Sequence, residues 1–287
     1  MSHEHSYPAL GPKIWAVLLR NEWFKARHRL AFVVTLGMYV FINTMTHGQS
    51  AYDALQREDR EFGLPDAWSA MFGGDSILLL IFASIAIIML TSSEFTWRTS
   101  RQNVIDGVGK MQWFWGKVIL LVLVGIVFLA SKLVVGVAAA MIGTDFSAGE
   151  QIFPLSAFAA SGALLIAYLN AGGLALLVSL SARAAGPAMA LWFFWITMGE
   201  QLLPAILGRI APSLQPAFAY LPFAATQQVL GFALFDERRR EQIIAGAAEA
   251  GQAAPDFADP MLWTAVNAGW AILFLTVAYL IFRKRDL

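Results

Sequence analysis

The 287-residue chain is 58% hydrophobic and only 14% charged, where a soluble globular chain is typically about 45–50% apolar and about 25% charged. Its net charge of zero excludes the bulk basic field that would bind nucleic acid, and the absence of cysteine excludes disulfides, thiolate metal sites and cysteine nucleophiles. The apolar residues come in blocks too long for a water-soluble core to hide, so the expected fold is all-α and polytopic in a membrane.

Residues 1–29 are polar to amphipathic and the first apolar block begins at Leu30, so no cleavable signal peptide is expected and that block is retained as a span. Within KIWAVLLRNEWFKARHR, the positions Trp15, Leu18, Leu19, Glu22, Trp23 and Ala26 follow helical spacing, and all but Glu22 are apolar or small. Lys13, Arg20, Lys25, Arg27 and Arg29 lie mostly off that stripe. Such a helix suits a membrane surface, with Trp15 and Trp23 at headgroup depth and Arg20 and Lys25 toward anionic lipid. The same composition also serves a plain juxtamembrane anchor.

Six spans follow, at Leu30–His47, Ser76–Ser93, Lys117–Gly143, Pro154–Leu180, Pro187–Leu207 and Met261–Phe282. Each is long enough to cross hydrocarbon as a helix, and lipid offers no partner to a backbone that is not helical. The first loop, Gly48–Asp75, contains AYDALQREDREFGLPDAW, which reads as a short solvated helix. The connection after span two is charged and broken by Gly107 and Gly109, and is too long for a tight helix–helix turn. A large loop at 208–260 opens with a proline-broken apolar stretch, and residues 214–235 are expected to dip into the membrane or lie at its surface. Pro212, Pro216 and Pro222 forbid one straight spanning helix there.

Placing the N-terminus inside puts thirteen Lys and Arg on inner segments and six on outer ones, which fits the positive-inside bias and sets both termini in the cytoplasm. Localisation at the cell's inner (plasma) membrane follows. Lys132, in the middle of span three, is a costly cation expected to face the bundle, a cavity or a partner, or else to snorkel, and a carboxylate such as Glu200 in span five or the cargo itself would satisfy it. Glu200 sits beside Pro204, a kink candidate, and is a candidate for an exit path or a dimer contact. Asn170, Gly172 and Gly173 read as close helix packing.

Enzyme signatures are missing. His3, His5, His28 and His47 have no metal-ligand spacing, and no nucleophile elbow appears. The nearest approach to a phosphate-cradling loop, around Gly107–Met111, lacks both the first glycine at its spacing and the hydroxyl. No cofactor or metal is therefore expected in this chain.

An acidic residue leaving span two, then Arg-Thr, a short helix, a glycine break, an aromatic re-entry and Gly-Lys opening span three together resemble the permease subunits of type-2 ABC (ABC-2) exporters. The matching positions are Glu94, Arg98, Thr99, the segment Arg101–Ile105, Gly107, Trp113, Gly116 and Lys117. The layout is similar too: a connecting helix (1–29), then a six-helix transmembrane domain (30–287) with an inner loop at 94–116. The family's loop often carries Gly before the Thr and Pro at the break, where this chain has Arg98 and Gly107. The resemblance implies that the short helix after span two, a coupling helix, docks on a separate ATPase subunit. That subunit binds ATP and Mg, and a second permease copy or a sister permease completes the transporter within the lipid bilayer. Arg98 and Arg101 would pair with the ATPase, and Thr99 would cap the short helix. An ion-coupled secondary transporter, a membrane-embedded enzyme and a non-transporting membrane scaffold are the alternatives. A secondary carrier would want repeated halves and paired intramembrane acids.

Overall fold

A computed structural model of the chain describes residues 12–57, 62–73, 75–97, 109–144, 146 and 151–284. Among these every regular element is helical, and six helices are long and apolar enough to cross a membrane. Helix α1 (Pro12–Arg27) precedes the first span, α2 (Leu30–Arg57). A short α3 (Ala67–Met71) leads into α4 (Ser76–Thr96), and the third and fourth spans are α5 (Lys110–Ala140) and α6 (Leu155–Ala182).

The fifth span is interrupted. Helix α7 (Ala185–Phe194) passes through a π-turn, Trp195–Gly199, into α8 (Glu200–Ile210). Pro204 lies within α8, where it lacks an N–H and crowds the carbonyl four residues back. A 3-10 segment (Pro212–Tyr220), α9 (Pro222–Gln227), a 3-10 turn (Phe232–Leu234) and the polar α10 (Glu237–Glu249) lead to the last span, α11 (Pro260–Lys284).

The spans lie where the apolar blocks put them, but their ends move. Helix α2 continues ten residues past His47 because AYDALQR is made of helix formers that hydropathy ignores. Where one solvated helix is expected in the first loop, the chain instead ends α2 and forms the buried α3. There Trp68 is covered and its indole N–H donates to the Ile152 carbonyl at 2.9 Å. The inner loop expected at 94–116 is shorter: Glu94 belongs to the last turn of α4, and Lys110–Gly116 form the first turns of α5. The Gly109 N–H finds the Gln112 side chain at 3.3 Å, which satisfies one orphan donor at that helix start.

Spans α4 and α6 are the most buried, with α2, α5, α7–α8 and α11 around them. Large apolar side chains such as Leu191, Phe194, Met198, Leu202 and Ile206 remain exposed along the fifth span. Such a face would be a liability in water and is ordinary against lipid. Tyr168 marks the centre of the bundle. It is fully buried, and its hydroxyl donates to the Leu121 carbonyl of α5 at 3.0 Å. That approach requires Gly125, since a Cβ there would stand 2.4 Å from the Tyr168 ring.

Gly125→Ala is therefore expected to lower stability by about 1–3 kcal/mol. Gly162→Ala, in the same kind of helix with nothing within 4 Å of its added methyl, should be close to neutral. Thermal unfolding of the two purified variants in one detergent decides between them.

Candidate functional site

Both described ends of the chain come to one end of the bundle, called here the near end. Phe282 of α11 stacks on Trp113 of α5 with ring centroids 4.8 Å apart, and α1 packs beside them. Glu22, Lys25, Glu94, Trp113 and Lys117 gather at this end.

Their centre is Lys117, which is 0% exposed. Its ammonium donates to Glu22 Oε2 and to Glu94 Oε1, both at 2.7 Å. Glu22 Oε1 accepts from Lys25 at 3.1 Å, and Lys25 Nζ also stands 3.7 Å from Glu94 Oε1. The remaining oxygen, Glu94 Oε2, accepts the Trp113 indole N–H at 3.0 Å, and Lys117 lies 5.2 Å from that ring's centroid. Two carboxylates and two ammonium groups balance, and every carboxylate oxygen has a donor.

Sequence geometry explains the convergence. Glu22 is the one charged residue in the apolar stripe of α1, so docking that stripe carries the carboxylate inward. Gly116, one residue before Lys117, lies beside the same carboxylate: a Cβ there would stand in ordinary contact with Glu22 Oε1, at 3.4 Å. Burial alone would push the Glu22 carboxyl up, but the ammonium groups of Lys117 and Lys25 outweigh it and hold it below the ordinary carboxylate range.

The expected membrane anchors divide. Trp15 meets Trp115 edge-on at 5.8 Å and Trp23 meets Phe32 edge-on at 6.2 Å, so both rings pack on the bundle. Arg20 is exposed and Lys25 joins the ion cluster. Of the positions read as an ATPase-coupling loop, only Glu94 is among the described residues, buried at the end of α4. Arg98, Thr99, Arg101, Ile105 and Gly107 lie outside the described residues. What the structure defines is the base of that loop: Glu94 on the way out, Trp113 and Lys117 on the way back, joined by direct bonds.

Lys132 finds a carboxylate, but it is Asp75, not Glu200: Nζ to Oδ2 is 2.8 Å. Glu200 serves another purpose. Its Oε1 accepts the Trp195 indole N–H at 2.8 Å, and its carboxylate accepts the backbone N–H groups of Phe223 and Ala224 at 2.8–2.9 Å. It thereby caps α9 from a different helix, where orphan N–H groups and the positive helix end favour an anion.

Asn170, read as a packing residue, is a hub. Its amide N–H₂ reaches the Pro222 carbonyl at 2.8 Å, Asn267 Oδ1 at 2.9 Å and Thr226 Oγ1 at 3.2 Å. Thr226 donates to Asn267 Oδ1 at 2.8 Å, and Asn267 donates to Ala225 O and Trp263 O at 3.0 and 2.9 Å. Helix α9 is thus bonded to α6 and α11 midway along α6. The signal that might have revealed this was an amide in each of two spans together with a threonine after Pro222.

With this geometry in place, comparison with known proteins gives one result: the family model described as "ABC-2 family transporter protein" matches residues 18–199. That stretch includes Glu22, Glu94 and Lys117. Among curated proteins no match is found.

Two outcomes follow. Because Glu22 titrates below an ordinary carboxylate, its hold on α1 is fully present above about pH 4.3 and is lost as pH falls through its lowered value. In this cysteine-free chain, spin labels at Val17 and Met111 should keep a narrow distance distribution at neutral pH that broadens only in acid; Glu22→Gln should broaden it at neutral pH. Glu200→Ala should expose α9, so that a cysteine introduced at the buried Ala225 changes from unreactive to reactive toward a water-soluble maleimide. Unchanged labelling would show that α9 does not need this cap.

Proposed function

The chain belongs to the ABC-2 family of transporters, and from that premise we propose that it is the permease subunit of an exporter driven by a separate ATP-hydrolysing subunit. The segment from Arg98 to Gly107 is the handle that subunit grips. Both termini and the near end face the cytoplasm of the cell's inner membrane, in keeping with the clustering of Lys and Arg there. A second permease copy or a sister permease completes the pore, and ATP with Mg is held by the partner.

The observation that carries this reading is the pairing of Lys117 with Glu22 and Glu94. It ties the helix entering the handle, the helix leaving it and the helix α1 into one unit. A displacement applied to the handle would then reach α4 and α5 together, and the Trp113–Phe282 stack extends it to α11. Lys132 and Glu200 act on this reading as structural contacts inside the bundle. The segment 214–235 is read as re-entrant, a reading supported by the backbone groups of Pro222–Ala225, which Glu200, Asn170 and Asn267 satisfy from the spans.

The test is to replace Arg98–Ile105 with Gly and Ser. Membrane insertion and thermal stability should be unchanged, while co-purification of the ATPase subunit with the native complex should drop at least about tenfold, the effect of losing about 1.4 kcal/mol of contact. Retention of the ATPase at wild-type levels would overturn the assignment of the handle.

A further inference from the structure

At the far end of the bundle a second buried charge cluster is built differently. Tyr39, Asn43 and His47 recur every four residues on one face of α2, and none is more than 3% exposed. His47 Nε2 stands 3.4 Å from Asp75 Oδ2, on the residue that precedes α4. The same oxygen accepts Lys132 of α5 at 2.8 Å, and Lys132 is 0% exposed. The Phe62 ring stacks over the imidazole, 6.0 Å centroid to centroid. Asn43 reaches Lys132's own backbone carbonyl at 3.5 Å. His47 therefore faces Asp75 from the head of α4, Lys132 from α5, and Tyr39 and Asn43 from its own helix.

What distinguishes the cluster is unused hydrogen-bonding capacity. Both ring nitrogens of His47, Asp75 Oδ1 and the Tyr39 hydroxyl are buried without a hydrogen-bond partner. Leaving such groups unsatisfied is costly, and native structures rarely collect several in one place without a functional reason. A metal cation does not suit the site, because among the described residues only one carboxylate and one imidazole face it, and the carboxylate already holds the Lys132 ammonium. A proton does. One nitrogen of the neutral ring holds a hydrogen and the other holds a lone pair, so uptake of a proton from water forms one N–H bond and leaves a cation. Asp75 is there to balance it, since its Oδ2 already stands 3.4 Å from Nε2 and its Oδ1 is uncommitted.

We propose that His47, Asp75 and Lys132 form a proton-binding site, with the proton carried on the His47 ring and its charge balanced by the Asp75 carboxylate. Binding adds a charge-assisted hydrogen bond between α2 and the head of α4, so the α2–α4–α5 junction tightens as protons are taken up. The Asp75 side chain is 16% exposed and supplies the opening to solvent. The proposal concerns this chain alone and does not depend on how ATP is used.

The test uses the full chain in lipid nanodiscs with His3, His5 and His28 replaced by Asn, so that ¹⁵N-labelled His47 is the sole histidine signal. The ring should pass from the neutral to the doubly protonated pattern as the sample is acidified. In the same background Lys132→Met should let the protonated form persist to higher pH by about one unit or more, and Asp75→Asn should confine it to lower pH. A ring that stays neutral and unchanged from about pH 4 to pH 9 would overturn the proposal, and this titration alone decides if the buried variants do not fold.

Discussion

A single buried ammonium, Lys117, organises the near end of the molecule. Taking an ion out of water costs several kcal/mol, and the cost is recovered only when the geometry is good and every remaining lone pair is used. Here it is: Lys117 has two carboxylates at 2.7 Å, Glu22 has Lys25 on its other oxygen, and Glu94 has the Trp113 indole on its other oxygen. Such a cluster adds little net stability compared with well-packed apolar residues, but it is unforgiving of rearrangement, since any member that moves strands another charge in a dry site. The arrangement therefore buys definition: α1, α4 and α5 have one way of fitting together.

The other half of the bundle solves a different problem with neutral groups. The stretch after α8 contains prolines and short 3-10 turns, and its own turn bonds leave some backbone groups around α9 free. Those of Pro222–Ala225 are taken up by side chains from the spans: Asn170 from α6, Asn267 from α11 and Glu200 from α8. The π-turn at Trp195–Gly199 belongs to the same solution. It is followed at once by Glu200, and the indole of Trp195, its first residue, bonds the same carboxylate that holds α9. The break in the fifth span and the ordering of the segment beyond it are thus one feature.

How much of this could be read from the sequence depended on how local the cause was. The six spans were legible because burial in lipid acts on every residue of a run, so a block beginning at Leu30 or Ser76 announces itself. Their ends were less so, because the polar run AYDALQR is held in α2 by helix propensity, which leaves no trace in hydropathy. Lys132 announced that it needed a partner, since a cation in a span always does, but the partner lies 57 residues away at a position that looked like loop. Glu22 was visible as the one flaw in an amphipathic stripe, yet only the fold brings it to Lys117, 95 residues on. Asn170 looked like a packing residue because an amide among glycines and alanines resembles one. Its role is defined by Thr226 and Asn267, which no spacing rule connects to it.

The two buried lysines of α5 make the closing contrast. They sit fifteen residues apart on one helix and both are fully covered, so burial and residue type are the same and only the company differs. Lys117 shares two carboxylates whose four oxygens are all occupied, and a saturated site has no place for another charge. Lys132 shares one carboxylate with an imidazole, with an oxygen, two ring nitrogens and a nearby hydroxyl left over. Saturation makes the first site a joint, fixed over any pH at which its carboxylates stay ionised. Incompleteness makes the second one responsive, because its cheapest improvement is to take up the smallest available cation. One helix thus carries a rigid connection at the end where α1 docks and an adjustable one toward the end where α2 meets α4.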